Sequence, residues 1–338
     1  MDRVDGLVRI VAAATAATLV LASCGGGEGP AAESPSPAEP TGTPEPTTSP
    51  GSVMPEGVAA LIDTGSKPCA LAEAGGSVWV TAYGDGTVAE VDPGSNEVVS
   101  TIEVEGQPCG IAATDGVLWV GALGTGRLVG FDLSSGEQVF EVDLGGDPWD
   151  VQAGAGAVWV ANRGDGAVWR IDPSTGEVVA KIDVDGVPSG LAVLRRAVWI
   201  ADHLSQTISL IDPATDRIRR RVSLDSVAAQ WFATDGSALW AAAPEDGVAL
   251  GLDPRTGEVM WETDVEGQPR DPGIAGGRLW VASQETGILS ALAADTGEIQ
   301  ERWELAPGIW TAEGAAGAVW VLNFGERGVY RIDAGKAG

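Results

Sequence analysis

The chain has 338 residues, 48 acidic against 20 basic, for a formal net charge of −28. That balance argues against nucleic acid and anionic lipid surfaces as partners, because a phosphate backbone has to be met by lysine and arginine. The length allows two average domains or one large all-β domain.

Residues 10–22, IVAAATAATLVLA, are apolar but shorter than the roughly 20 residues a membrane-spanning helix needs. They follow Arg3 and Arg9 and fit the hydrophobic stretch of a signal peptide, residues 1–23. The next motif, Leu21–Cys24 (LASC), resembles a bacterial lipobox, which implies cleavage before Cys24 and a diacylated thiol; an ordinary secreted chain is the alternative. Residues 24–56 are rich in Pro, Thr, Ser, Glu and Gly, too poor in apolar area to fold, and read as a semi-extended tether. The folded domain is expected over 57–335.

From there the chain repeats itself. Trp79, Trp119, Trp159, Trp199, Trp240, Trp280 and Trp320 follow one another at 40, 40, 40, 41, 40 and 40 residues, and the extra residue is read into the turn TDGSALW. A period near 40 made of short β-type runs is the pattern of four-stranded propeller blades. In 106–144 the runs PCGIAAT, VLWVGAL, RLVGFDL and QVFEVDL are the four strands, separated by the turns TDG, GTG and SSGE. The turn at Asp172, DPSTGE, recurs at Asp92, Asp212 and Asp253: Asp bonds the backbone ahead of it, Pro sets φ and Gly takes the left-handed position. These acids are turn formers in preference to calcium ligands, and the repeated tryptophans are core.

The seventh unit ends after its third strand, at GVYRIDAGKAG, and GVAALIDTG (57–65) stands free before the first unit. The prediction is an all-β, seven-bladed β-propeller whose last blade is closed by the N-terminal strand, which removes the exposed edge.

The phrase VWVANRGDGAVWRIDPSTGEVV is similar to the YVTN-type and virginiamycin B lyase-like propellers of bacteria, over about residues 57–334. The resemblance implies the fold. The lyase of that group is implied to work with a metal, histidine and glutamate, whereas this chain holds the single histidine His203, so its activity is not carried over. Leu252–Val265 looks like a quinoprotein repeat, but once only and without adjacent cysteines, so no cofactor and no metal are expected.

Where the copies differ is where function can be written. Ten residues before each tryptophan, with an allowance of one in blade five, stand Cys69, Cys109, Trp149, Ser189, Ala229, Arg270 and Trp310, followed by Ala70, Gly110, Asp150, Gly190, Gln230, Asp271 and Thr311. Four after each stand Tyr83, Leu123, Arg163, His203, Pro244, Gln284 and Phe324. Both rows belong to the end of the ring where the blade-to-blade connections lie. Tyr83, Trp149, Asp150, Arg163, His203, Arg270, Asp271, Gln284, Trp310 and Phe324 therefore form the candidate ligand-binding mouth, aromatic planes with a few polar anchors. The alternative is a plugged funnel, with Arg163 paired to Asp150 and Arg270 to Asp271. Cys69 and Cys109, in phase on adjacent blades, are the candidate disulfide in an oxidising compartment. Blade four gathers Arg195, Arg196 and RIRRR (217–221), read either as charge that blocks edge aggregation or as a dock for an acidic partner.

No catalytic residue is assigned, since no nucleophile or metal-ligand spacing surrounds His203. The sequence reads as a monomeric, lipid-anchored module on the outer face of the cytoplasmic membrane or in the cell envelope. It would bind an unidentified small molecule, peptide or envelope protein, touching the membrane through its anchor only. A propeller enzyme of the lyase or hydrolase kind is the alternative, and a scaffold for envelope proteins a third.

Overall fold

The computed structural model describes Pro55 and residues 57–333. The expected signal peptide, Cys24 and nearly all of the tether lie outside the described residues. The described secondary structure is all strand, arranged as seven four-stranded antiparallel sheets. Six are simple meanders; the unit at 108–143, for example, runs Pro108–Thr114, Val117–Ala122, Arg127–Asp132 and Gln138–Asp143. The seventh is built from both ends of the domain, with Val58–Ile62 pairing antiparallel to Gly328–Ile332. The inner strand of each blade packs on those of its two neighbours, and the last returns to the first, which closes a seven-bladed propeller.

The sequence pattern explains the layering. The second and third strands lie between two blades, so both of their faces are buried, and they are written as continuous apolar runs such as Val158–Ala161. The outermost strands are mostly exposed, with side chains such as Val99 and Val179 in solvent and few, such as Ile182, turned into the core. Trp119, Trp159, Trp199, Trp280 and Trp320 are fully buried, and Trp79 and Trp240 nearly so. In five blades the indole N–H is bonded to the blade's own first turn, as Trp159 to the Gly154 carbonyl at 3.1 Å. Trp199 and Trp240 instead reach across to the carbonyls of Pro254 and Ala294 in the following blade.

The repeated acidic turn works as its sequence suggests. Asp172 Oδ1 accepts from the Ser174 N–H at 2.8 Å, and Gly176 closes the turn at φ 70°. Such bonds hold the Asp92, Asp132 and Asp172 carboxyls below the usual range.

At the axis space is shortest. A Cβ on Gly110 would meet the Trp149 carbonyl at 2.7 Å, and one on Gly190 the Gln230 carbonyl at 2.7 Å. Side chains stitch the inner strands together: Thr81 Oγ1 donates to the Cys109 carbonyl (2.8 Å), Ser189 Oγ to Gln230 (2.9 Å) and Thr311 Oγ1 to Cys69 (3.1 Å). Cys69 and Cys109 are joined by a disulfide across blades one and two, Cα–Cα 5.1 Å.

Blade five corrects one expectation. The hairpin at TDGSALW has ordinary length, Thr234 facing Leu239 as Ala113 faces Leu118; the extra residue lies in the connection Leu224–Gln230. Trp231 faces Ala242 as Asp150 faces Ala161, so Gln230 and Trp231, not Ala229 and Gln230, hold the two mouth positions of that blade. A slip of one residue exchanges which side chains face the axis.

Replacing Cys69 and Cys109 by serine should cost about 3–4 kcal/mol for a closed loop of this size, on the chain-entropy account. Chemical denaturation of the oxidised protein beside the double variant measures it. Coincident curves would mean that the bridge adds nothing to the hydrogen-bonded ring.

Candidate binding site

The connections that lead out of each second strand and into each inner strand lie at one end of the ring. In six blades the residue after the second strand donates its N–H to the carbonyl just ahead of the inner strand. The pairs are Tyr83 to Lys67 (3.0 Å), Leu123 to Gln107 (3.0 Å), Arg163 to Asp147 (2.9 Å), His203 to Val187 (2.8 Å), Gln284 to Gln268 (2.9 Å) and Phe324 to Gly308 (3.0 Å). Blade five lacks the bond because Pro244 has no N–H. The rim is thus a regular backbone ring on which side chains vary freely.

Four of those side chains form a continuous aromatic arc. Ring centroids are 5.8 Å apart for Tyr83–Phe324, 5.4 Å for Phe324–Trp310 and 5.6 Å for Trp310–Trp231. Cations lie over it: the Arg270 guanidinium is 4.7 Å from Trp310 and 5.2 Å from Trp231, and Lys67 Nζ is 5.7 Å from Phe324. Across the opening Arg163 lies 3.7 Å over Trp149. Such stacking suits guanidinium, which is planar and weakly hydrated.

The two ion pairs expected of a plugged funnel are not formed. Arg270 donates to Gln284 Oε1 and Gln268 Oε1, both at 2.8 Å, and forms no ion pair with Asp271. Arg163 forms none with Asp150, and its Nε is buried without a partner. Burial lowers the Arg163 pKa to about 10 against the pull of Asp147 and Asp150. His203 Nδ1 and Gln230 Oε1 are buried too, without a hydrogen bond of good geometry, although the two side chains lie close enough for Gln230 to act on the His203 ring. His203, Gln230 and Glu245 line a cleft of about 600 Å³ between blades four and five, beside the exposed Leu204. Burial, then the Arg163 charge, lower the His203 pKa, so its ring is neutral at physiological pH.

Below the rim three carboxyls stand in the channel wall. Asp150 Oδ2 accepts the Leu191 N–H of the next blade at 2.7 Å, yet burial raises its pKa to about 6. Glu313 is raised to about 8 by burial and by the charge of Asp150. Asp271, bonded by Thr311 Oγ1 at 3.4 Å, is raised well above the ordinary range by burial and by both neighbours. Among the described residues no group of three or more His, Cys, Asp or Glu is placed to hold a metal.

The family described as outer membrane protein assembly factor BamB matches residues 84–203 and 204–331. The chain belongs to this BamB family. No curated protein matches it. Among solved structures it is similar to virginiamycin B lyase from Staphylococcus aureus: 14% identity, 80% of this chain and 95% of that one covered, TM-score 0.70. It is similar to Kuenenia stuttgartiensis hydrazine synthase, at 14% identity, 79% and 95% coverage and TM-score 0.69. It is similar to BamB from Moraxella catarrhalis, at 17% identity, 79% and 82% coverage and TM-score 0.57. At these identities the likeness to each structure is one of fold.

In this BamB-family chain all ten residues read from sequence stand at the connection end or in the channel wall beneath it. Tyr83, Arg270, Gln284, Trp310 and Phe324 share one cluster of ring and hydrogen-bond contacts, with Trp149 and Arg163 a second. Sequence reasoning missed Lys67, Trp231, Gln268 and Glu313. Trp231 was hidden by the misplaced extra residue. Glu313 occupies a wall position that is Ala72, Ala112 and Ala192 in other blades, a departure a third counted row would have exposed.

The raised carboxyls fix a pH dependence. The native chain keeps protons on Asp150 and Glu313 that the unfolded chain releases near pH 4, so stability falls as pH rises from about 4 to about 8. Glu313→Gln should melt several degrees above the wild type near pH 9 and level with it near pH 4. A gap that does not widen with pH would count against a strained carboxyl there.

Proposed function

We infer that this chain is a binding module of the cell envelope, anchored through a diacylated Cys24 and a tether, that receives a peptide segment of a partner in the mouth. The observation that carries the reading is the buried Arg163 Nε without a partner at the mouth, beside the aromatic arc. An unmade hydrogen bond of this kind costs about 1–3 kcal/mol, a cost that a ligand offering an acceptor removes. Peptide backbone offers one. The aromatic arc supplies apolar surface for its side chains, as in small-ligand and peptide pockets generally.

The family description, an assembly factor of the outer membrane, supports an envelope setting and a protein partner. The tether would join the outermost strand of blade seven at the end opposite the mouth, leaving the mouth turned away from the membrane.

A second reading, a propeller enzyme of lyase or hydrolase type, is favoured by one observation: carboxyls titrating near neutrality in a cleft suit general acid or base work. Amine-reactive crosslinking of the intact protein in its host, at Lys67 on the rim, separates the two. Wild type should yield a defined crosslinked partner, and Trp149→Ala with Trp310→Ala should lose it at least tenfold while still unfolding cooperatively, at a lowered melting temperature, both tryptophans being half-buried. Equal crosslinking by the variant would discard the mouth as the partner's site.

A further inference from the structure

The opposite end of the ring carries a groove of about 470 Å³ between blades four and five, and five arginines line it: Arg195, Arg196, Arg219, Arg220 and Arg255. They are a quarter of the chain's 20 basic residues. Its floor is apolar, formed by Leu194, Leu210 and Pro254.

Each arginine departs from the repeat. The first turn of every other blade contains a glycine at positive φ, among them Gly76, Gly116, Gly156 and Gly317; blade four has Arg195–Arg196, neither at positive φ. That rewritten turn accompanies the loss of the usual indole bond, Trp199 reaching to Pro254 in the groove floor. The outer strand of blade four is RIRRRVS, while no other outer strand holds more than one basic residue. Arg255 is the one basic residue within the Asp-Pro turns at Asp92, Asp172 and Asp253.

The charges are left unanswered. Arg195, Arg196 and Arg219 make no hydrogen bond or ion pair, Arg220 reaches only the Thr256 carbonyl at 3.5 Å, and Arg255 lies 4.0 Å from Asp253. None of the five lies over an aromatic ring, unlike the cations of the mouth. A strand that needed only protection from aggregation would be served by charges spread along its solvent face. Here one turn of the same blade and one turn of the neighbouring blade add their arginines around one concavity. Clustered guanidinium groups with free forks match phosphate oxygens, which accept paired N–H bonds.

We propose that this groove binds a phosphate-bearing anion, either a soluble polyphosphate or the phosphate of a lipid headgroup. Because the whole chain carries −28, distant attraction of an anion is unfavourable and binding has to be local to these arginines.

The test is calorimetric titration of the intact protein with sodium tripolyphosphate at low ionic strength. Two variants restore what the repeat writes elsewhere: Arg195→Gly with Arg196→Gly, and Arg219→Val with Arg220→Ser, after Val99 and Ser100 of blade one. Each should weaken binding about tenfold or more without changing the melting temperature, and added salt should weaken the wild type steeply. If one pair fails to fold, the other gives the reading. Parallel titration with phosphatidylglycerol and phosphatidylcholine vesicles separates the sources. A preference for phosphatidylglycerol that the variants lose assigns a headgroup; equal binding to both lipids, with tripolyphosphate still bound, assigns a soluble anion. Binding of neither probe by the wild type, or undiminished binding by both variants, overturns the proposal.

Discussion

The crowding of seven inner strands around one axis governs the rest of the molecule. Radial sheets diverge outward and converge inward, so the least space for a side chain is where the blades meet. The wall answers with glycine and alanine: Gly110 and Gly190 have no room for a Cβ, and Ala72, Ala112 and Ala192 fill one row. Against that background Asp150, Asp271 and Glu313 are expensive. They lose water for little compensation, only Asp150 feeling a nearby cation in Arg163, and the penalty appears as carboxyls that hold their protons. A repeat that can use alanine at a position and uses glutamate instead accepts a cost that the fold does not require.

The same geometry explains what the sequence discloses. Blade number, strand order and closure follow from the tryptophan period, because every blade meets the same two neighbours and therefore needs the same core. The closing strand is legible since the seventh unit lacks its fourth run while one stands free at 57–65. The register of blade five was not, because a lengthened connection and a lengthened hairpin leave the same spacing between tryptophans. Only the pairing of Trp231 with Ala242 distinguishes them.

The mouth was legible as a list of positions but not as an arrangement. Counting rows treats each blade alone, whereas Arg270 is held between Trp231, Trp310 and two glutamines, side chains from three blades and several rows. Lys67 lies two residues before the first counted row. The partners of a cation at a propeller's rim are set by the curvature of the ring, which no single repeat encodes.

The two ends of the ring treat positive charge differently, and this separates structure from recognition. At the mouth each guanidinium rests on an aromatic plane, so much of its stabilisation is already internal, and what remains open there is the buried Arg163 Nε. At the opposite end the arginines have no aromatic planes, and of the five only Arg255 approaches a carboxylate, Asp253 at 4.0 Å. Between the ends run inner strands tied by a disulfide and by cross-blade bonds from Thr81, Ser189 and Thr311. A ring stitched in this way offers no hinge through which filling one end would reshape the other. A peptide at the mouth and an anion at the groove would therefore be held independently, each by the blades whose departures from the repeat created its site.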